Sequence, residues 1–297
     1  MGGGTRQIRT APGLELVTRL GVAIWSRPLG FVFLVALVVR LVGASVVAIA
    51  YDGALFADDE GYLIRIDQFS RHATDSWEEL GTWDFFNSQA GFLLPIGLLF
   101  RIFGSHPILG QALSAMAGAV TAAAVASLVR PHVSRGASLM AGLAVSLLPG
   151  QVLWSSLVLK DSFSWMSLVL IALALRWWNQ RFGPSGYVKG FALLAALSFY
   201  LVHLRVHTFI VACIASGIAV LVASNRHRIG RLLAVLLLGV VMPMTVGATA
   251  FGIKQLSNQD GWLGGIRQNM ALGAKTSIFG PEQGTNVSSG DLAHLPT

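Results

Sequence analysis

Residues 29–60 read LGFVFLVALVVRLVGASVVAIAYDGALFADDE. The apolar run from Leu29 to Ala50 is long enough, as a helix, to cross the roughly 30 Å of hydrocarbon in a bilayer. It runs directly into an acidic stretch. Of the 14 Asp and Glu residues in the chain, nine fall in one loop: Asp52, Asp58, Asp59, Glu60, Asp67, Asp75, Glu78, Glu79 and Asp84. The basic residues gather elsewhere, at Arg6/Arg9/Arg19/Arg27, Arg130/Arg135, Arg176/Arg181/Lys189 and Arg226/Arg228/Arg231. Membrane proteins keep their Lys/Arg-rich connections in the cytoplasm. The acidic loop is therefore expected on the outer side.

Composition excludes a soluble domain. The chain has 297 residues, 54% of them apolar and only 12% charged, a balance outside the globular range. The net charge of +7 would suit nucleic acid. The basic groups are instead dispersed in small clusters between apolar runs, as the positive-inside bias requires, so no nucleic-acid partner is expected. A lone Cys213 excludes a disulfide framework. The first 28 residues are polar, glycine-led and basic, with no small-residue cleavage site after them. The first span is accordingly read as a retained anchor.

The pattern predicts an all-α integral membrane protein of about seven transmembrane helices, at 29–50, 107–129, 136–156, 162–178, 188–204, 207–224 and 229–251. Residues 1–28 form a cytoplasmic amino-terminal segment, 29–251 the spanning module with outer loop 51–106, and 252–297 a flexible outer carboxy-terminal segment. The stretch from Gly91 to Phe103 is apolar but short, and carries Pro95 and Arg101. Counting it as a span would put Arg130 and Arg135 outside, so an interfacial or re-entrant helix is expected, with a short eighth span as the alternative.

Three polar places face the outer side in this topology. Asp58-Asp59-Glu60-Gly61-Tyr62 follows the first span. Adjacent carboxylates repel unless a cation, a proton or a substrate offsets them, and a fixed carboxylate can act as a base. Lys160-Asp161 interrupts two apolar segments, a costly placement that usually marks a pair or a site. His203-Leu204-Arg205-Val206-His207 forms a cationic corner. Arg205 suits a phosphate, and the two histidines, if helical, stand at a spacing that can bind a metal. The alternative for each is plain: a solvated loop, a snorkelling corner and a headgroup anchor. Arg40, in the middle of the first span, needs an internal partner.

This set resembles the polytopic GT-C superfamily of lipid-linked-sugar glycosyltransferases, in the branch of protein O-mannosyltransferases and aminoarabinose transferases. The resemblance is carried by Asp59-Glu60 with Tyr62 after the first span and by Leu99-Phe100-Arg101-Ile102-Phe103-Gly104 closing an apolar interfacial segment. A small-residue-rich span from Leu113 to Val129 and a second acidic position at Asp161 complete it. It implies transfer of a sugar from a polyprenyl-phosphate donor to a glycan, lipid or protein hydroxyl, on the outer face of a bacterial plasma membrane. Asp59, Glu60 and Asp161 would then be catalytic; Asp58, Tyr62, Lys160, His203, Arg205 and His207 would bind substrate. No cofactor is required, although a divalent metal fits the chemistry. Relatives often carry a Lys or His-x-Glu outer-loop motif and a longer chain. This one ends at His294-Leu295-Pro296-Thr297, which reads as a truncated or reduced member, one that needs a protein partner if it is complete. The competing readings are a polysaccharide polymerase or ligase, and a transporter, flippase or assembly subunit.

Overall fold

The structure, a computed structural model, describes residues 28–72, 84–180, 184–222 and 228–244. Asp75, Glu78, Glu79, Arg6, Arg9, Arg19, Arg27, Arg181, Arg226, the end of the expected last span and the tail 252–297 lie outside the described residues. Those described are helical, with no strand among them. In chain order the helices are α1 (Pro28–Ala50), α2 (Ala57–His72), α3 (Asp84–Phe103), α4 (Pro107–Val129) and α5 (Arg135–Leu147). They continue with α6 (Pro149–Ser155), α7 (Asp161–Gln180), α8 (Pro184–Val202), α9 (Val206–Val222) and α10 (Arg228–Met244).

By length and hydropathy, 3 of the described helices can cross a membrane, α1, α4 and most of α8, or 4 if a bent pair counts as one span. That is consistent with a membrane protein. The helices α9 and α10 and the Gly91–Phe103 part of α3 are apolar but shorter. Helix α7 is long enough, at 20 residues, but carries Asp161, Ser162, Ser164, Ser167, Arg176 and Asn179.

The core is built around α4, which packs on α1, α5 and α7. Its buried face is almost all small: Gly110, Ser114, Ala115, Ala117, Gly118, Ala119, Ala122 and Ala126. Small residues let helix backbones approach closely where lipid offers no hydrophobic driving force. Gly118 illustrates the constraint, because a Cβ there would stand 2.5 Å from Arg40 Nε and 2.8 Å from Ser155 Cβ.

The expected span 136–156 is corrected by the structure: it is broken, with α5 and α6 meeting at 57°. Pro149 explains the break. Proline has no N–H for the carbonyl four residues back, and it drives the residue before it towards extended backbone. Leu148 is accordingly at φ −61°, ψ 117°. The last intact bond of α5 runs from Leu148 N–H to Ala144 O, which leaves the carbonyls of Val145 and Ser146 in need of donors. Arg40 supplies them. Its Nη2 donates to Val145 O at 3.2 Å and its Nη1 to Ser146 O at 3.1 Å, with a further bond to Ala36 O at 3.1 Å. Nε donates to Ser155 Oγ at 2.7 Å, so one fully buried side chain holds both halves of the break. A cation at a helix carboxy-terminus also meets the negative end of the helix dipole.

The same device recurs at the far end of the bundle. Arg176 donates to the carbonyls of Ser127 and Leu128 at the end of α4, at 3.3 and 3.2 Å. Arg231 donates to Trp178 O at 3.0 Å and to Asn179 Oδ1 at 3.1 Å, near the end of α7. Thus two residues from the basic clusters satisfy helix ends as well as contributing charge.

After α6 the chain runs non-helically through Ser156 to Leu159, buried throughout. Ser156 Oγ donates to Arg40 O at 3.0 Å, which ties this segment to α1. Irregular backbone in an apolar bundle is tolerated when protein encloses it. On the other flank, Asp67 is paired rather than simply solvated: Ser105 Oγ donates to it and Arg71 lies 2.8 Å away. Replacing Arg40 by Met should lower stability by about 2 kcal/mol or more, since each orphaned buried acceptor costs roughly 1–3 kcal/mol. Thermal unfolding in detergent reads this directly, with Arg40→Lys falling in between; a wild-type midpoint in Arg40→Met would contradict the role given to the guanidinium.

Candidate functional site

Two loops and the amino-terminal turn of α2 meet above one apolar cluster. That cluster comprises Ile66, Phe92, Leu93, Ile96, Phe100, Ala117, Val158, Phe163 and Leu204, with Tyr62 packed against it. Its members come from α2, α3, α4, α7 and the two corners at 158 and 204. Burying them fixes where the neighbouring polar residues stand.

The acidic stretch does not form a loop; it begins a helix. Asp58, Asp59 and Glu60 occupy the first turn of α2, where unpaired N–H groups and the helix dipole favour negative charge. Asp59 is fully buried. Its Oδ2 accepts from Leu55 N–H at 2.9 Å, and its Oδ1 from Phe56 N–H at 2.8 Å and Glu60 N–H at 3.1 Å. The residue singled out as the base is therefore placed as a cap of its own helix. Asp58 beside it is exposed, and its charge is felt at Tyr62 on the same helix and at Lys160 of the second patch.

Those patches come together. Arg205 Nη2 and Asp161 Oδ1 form a salt bridge of 2.8 Å, with side chains 28% and 22% exposed. Lys160 Nζ stands 5.6 Å from the centre of the Tyr62 ring, a cation–π placement. Tyr62 in turn meets Phe92 edge-on at 5.2 Å, and Phe92 meets Phe163 at 5.5 Å. His207 is exposed and feels the charges of Arg205 and Lys160. Three segments separated by about a hundred and by about forty residues thus share one polar patch.

The surroundings tune it. Burial pushes the Lys160 ammonium down to about 8; Arg205 pushes the same way, and Asp161 and Asp58 oppose it. Burial likewise pushes the Tyr62 hydroxyl up to about 12, so it remains a proton donor at neutral pH. Arg65, which the sequence reading missed, acts on both groups. It lies one turn beyond Tyr62 and two beyond Asp58, a helical spacing that goes unseen while the stretch is taken for a loop.

Two expected members stand apart. Glu60 is exposed, and among the described residues no contact joins it to the patch. His203 Nδ1 bonds to Phe199 O at 2.8 Å, and its ring lies against Phe199. The idea of His203 and His207 on one helical face is corrected as well, because α8 ends at Val202 and α9 begins at Val206. A divalent metal does not fit this donor set. The two carboxylates share the patch with Lys160, Arg65 and Arg205, and no three His, Cys, Asp or Glu gather among the described residues.

Backbone features hold the corners in place. Gly53, at φ +92°, accepts from Gln111 Nε2 at 3.0 Å through its carbonyl and packs on Pro107, where no Cβ fits. Gly91 N–H donates to His203 O at 3.2 Å, pinning α3 to the corner that carries Arg205.

The chain matches no family profile, no curated protein and no solved structure.

The Lys160 environment gives a pH test. A lysine lowered in the folded state is charged there at a cost, and the unfolded chain still holds its proton between about 8 and 10.5. Native stability should consequently gain a contribution as pH climbs through that window. Peptide-resolved acylation of the intact protein should show Lys160 becoming reactive as pH passes about 8; reactivity appearing only near 10.5 would refute the described burial.

Proposed function

We propose that the chain is a multi-pass membrane glycosyltransferase of the GT-C type, moving a sugar from a polyprenyl-phosphate donor to an acceptor hydroxyl. The observation that carries this reading is the convergence of Asp58, Tyr62, Lys160, Asp161 and Arg205 from three distant segments on one patch. A carboxylate beside several cations is the kit that displacement of a phosphate needs. The acceptor hydroxyl gives its proton to a carboxylate and its oxygen bonds to the anomeric carbon. The bond from that carbon to the phosphate oxygen breaks, and the electron pair leaves with the phosphate. Lys160 and Arg205 offset the charge that develops there.

Asp58 suits the base better than Asp59, because it is exposed beside the cations while Asp59 is spent on three backbone N–H groups. Asp161 holds Arg205 and serves as the second carboxylate. Tyr62, as a lasting donor, can bond a sugar oxygen or a phosphate oxygen.

A membrane-soluble donor explains why such a site belongs on a bundle of apolar helices. In this reading α1, α4, the α5–α6 pair, α7, α8, α9 and α10 make seven crossings. Helix α3 lies along the interface, the amino terminus is cytoplasmic, and the patch faces outward in a bacterial plasma membrane. The basic residues capping α4 and α7 then lie at the cytoplasmic end, as the positive-inside bias asks.

Sugar transfer from a short-chain polyprenyl-phosphate sugar, followed in purified variants, tests the assignment. Asp58→Asn should cut the rate by roughly a hundredfold or more, the usual scale for a lost general base, without lowering the unfolding temperature. Asp59→Asn should instead lower stability, because an amide N–H would face that of Leu55. If transfer survives Asp58→Asn but not Arg205→Gln, the patch acts as a polymerase or ligase through its cations alone. If the intact chain binds no lipid-linked sugar, the transporter or assembly reading replaces both.

A further inference from the structure

The cations of the patch are not all open to a ligand. Arg205, the only arginine of its corner, is bridged to Asp161 at 2.8 Å. Its Nε is buried and, among the described residues, has no hydrogen-bond partner. Nη2 of the guanidinium is thus filled by a carboxylate while its Nε lacks an acceptor. A phosphate, with three acceptor oxygens, suits that fork better than one carboxylate oxygen does. Asp161 is also the first residue of α7. A carboxylate there has a second favourable environment, the positive amino-terminal end of the helix, so it can leave Arg205 without being stranded.

The geometry points to Asp161 as a stand-in for the ligand: in the free protein it occupies the phosphate seat on Arg205, and an arriving phosphate group displaces it towards the amino-terminal end of α7. This rests on the phosphate-binding reading above and deepens it by supplying a regulation of the site. Binding and activation become one event. With Arg205 neutralised by its own carboxylate, the empty site presents less positive charge to stray anions. Once a phosphate takes the fork, Asp161 is released beside Lys160 and can accept a hydrogen bond from the acceptor. Lys160 and Arg65 add positive charge to the seat, while Asp58 stays nearby in both states.

A competitor that is removed from the seat raises affinity, and a neighbouring like charge that does not occupy the seat does so much less when removed. The intact chain in zwitterionic nanodiscs is titrated with inorganic phosphate and, separately, with a short-chain polyprenyl monophosphate. Asp161→Asn should bind both probes roughly fivefold more tightly than the wild type, the scale of a partly exposed ion pair. Asp58→Asn should change affinity by less than about twofold, because its charge acts through solvent. Arg205→Gln should abolish the gain. Asp161→Ser, which keeps a residue suited to a helix start, repeats the test if the Asn variant folds poorly. Equal gains in Asp58→Asn and Asp161→Asn would mean bulk charge alone, and would overturn the displacement. Wild type and variants alike failing to bind either probe would overturn the displacement together with the phosphate-donor reading. Tighter binding of the lipid probe than of inorganic phosphate assigns the seat to a lipid-borne group; the reverse assigns it to a free anion.

Discussion

A guanidinium inside a membrane-length helix must find acceptors, and in this protein those acceptors exist because another helix is broken. Pro149 frees two carbonyls of α5, and Arg40 of α1 takes both while also reaching Ser155 of α6. Each half of that arrangement would be costly without the other. Together they allow the chain to leave α6, run non-helically through Ser156 to Leu159, and deliver Lys160 and Asp161 to the patch. The small face of α4 completes the fit, since Gly118 leaves room for Arg40 and Ser155 side by side.

The patch inherits its character from this delivery. Lys160 follows a buried segment and is itself poorly solvated, which makes its proton easier to lose than that of an ordinary lysine. Asp161 begins α7 and meets Arg205 across the bundle. Tyr62 stands between the apolar cluster and the charged groups, its ring packed on Phe92 and approached by Lys160. Two carboxylates, Asp58 and Asp161, stand there among three cations, Lys160, Arg65 and Arg205.

Much of this was legible in the residues. Charge sorting grouped the acidic stretch, Lys160-Asp161 and the Arg205 corner on one side, and the contacts of Asp161 with Arg205 and of Lys160 with Tyr62 join them. The demand for an internal partner at Arg40 was legible too, because a lone charge in a span has few other options. Other details were hidden. Nothing local distinguishes Asp58 from Asp59; only the helix start at Ala57 decides which carboxylate turns back to cap backbone and which stays free. Hydropathy alone reads 136–156 as one span because it averages over Pro149, and only that proline marks where the span can break, through its effect on backbone donors rather than on polarity. Arg65 was missed for the same reason that α2 was, since a period of 3.6 is hard to see in a stretch so rich in charge.

The segments around residues 62, 160 and 205 share one face of the protein. Cross-linking with a short bismaleimide tests it, in a background where Cys213 is replaced by Ser, using Tyr62→Cys paired with Lys160→Cys in native membranes. Efficient intramolecular linkage is the predicted result. Linkage absent in that pair, with the two thiols labelled from opposite sides of the bilayer, would contradict the account.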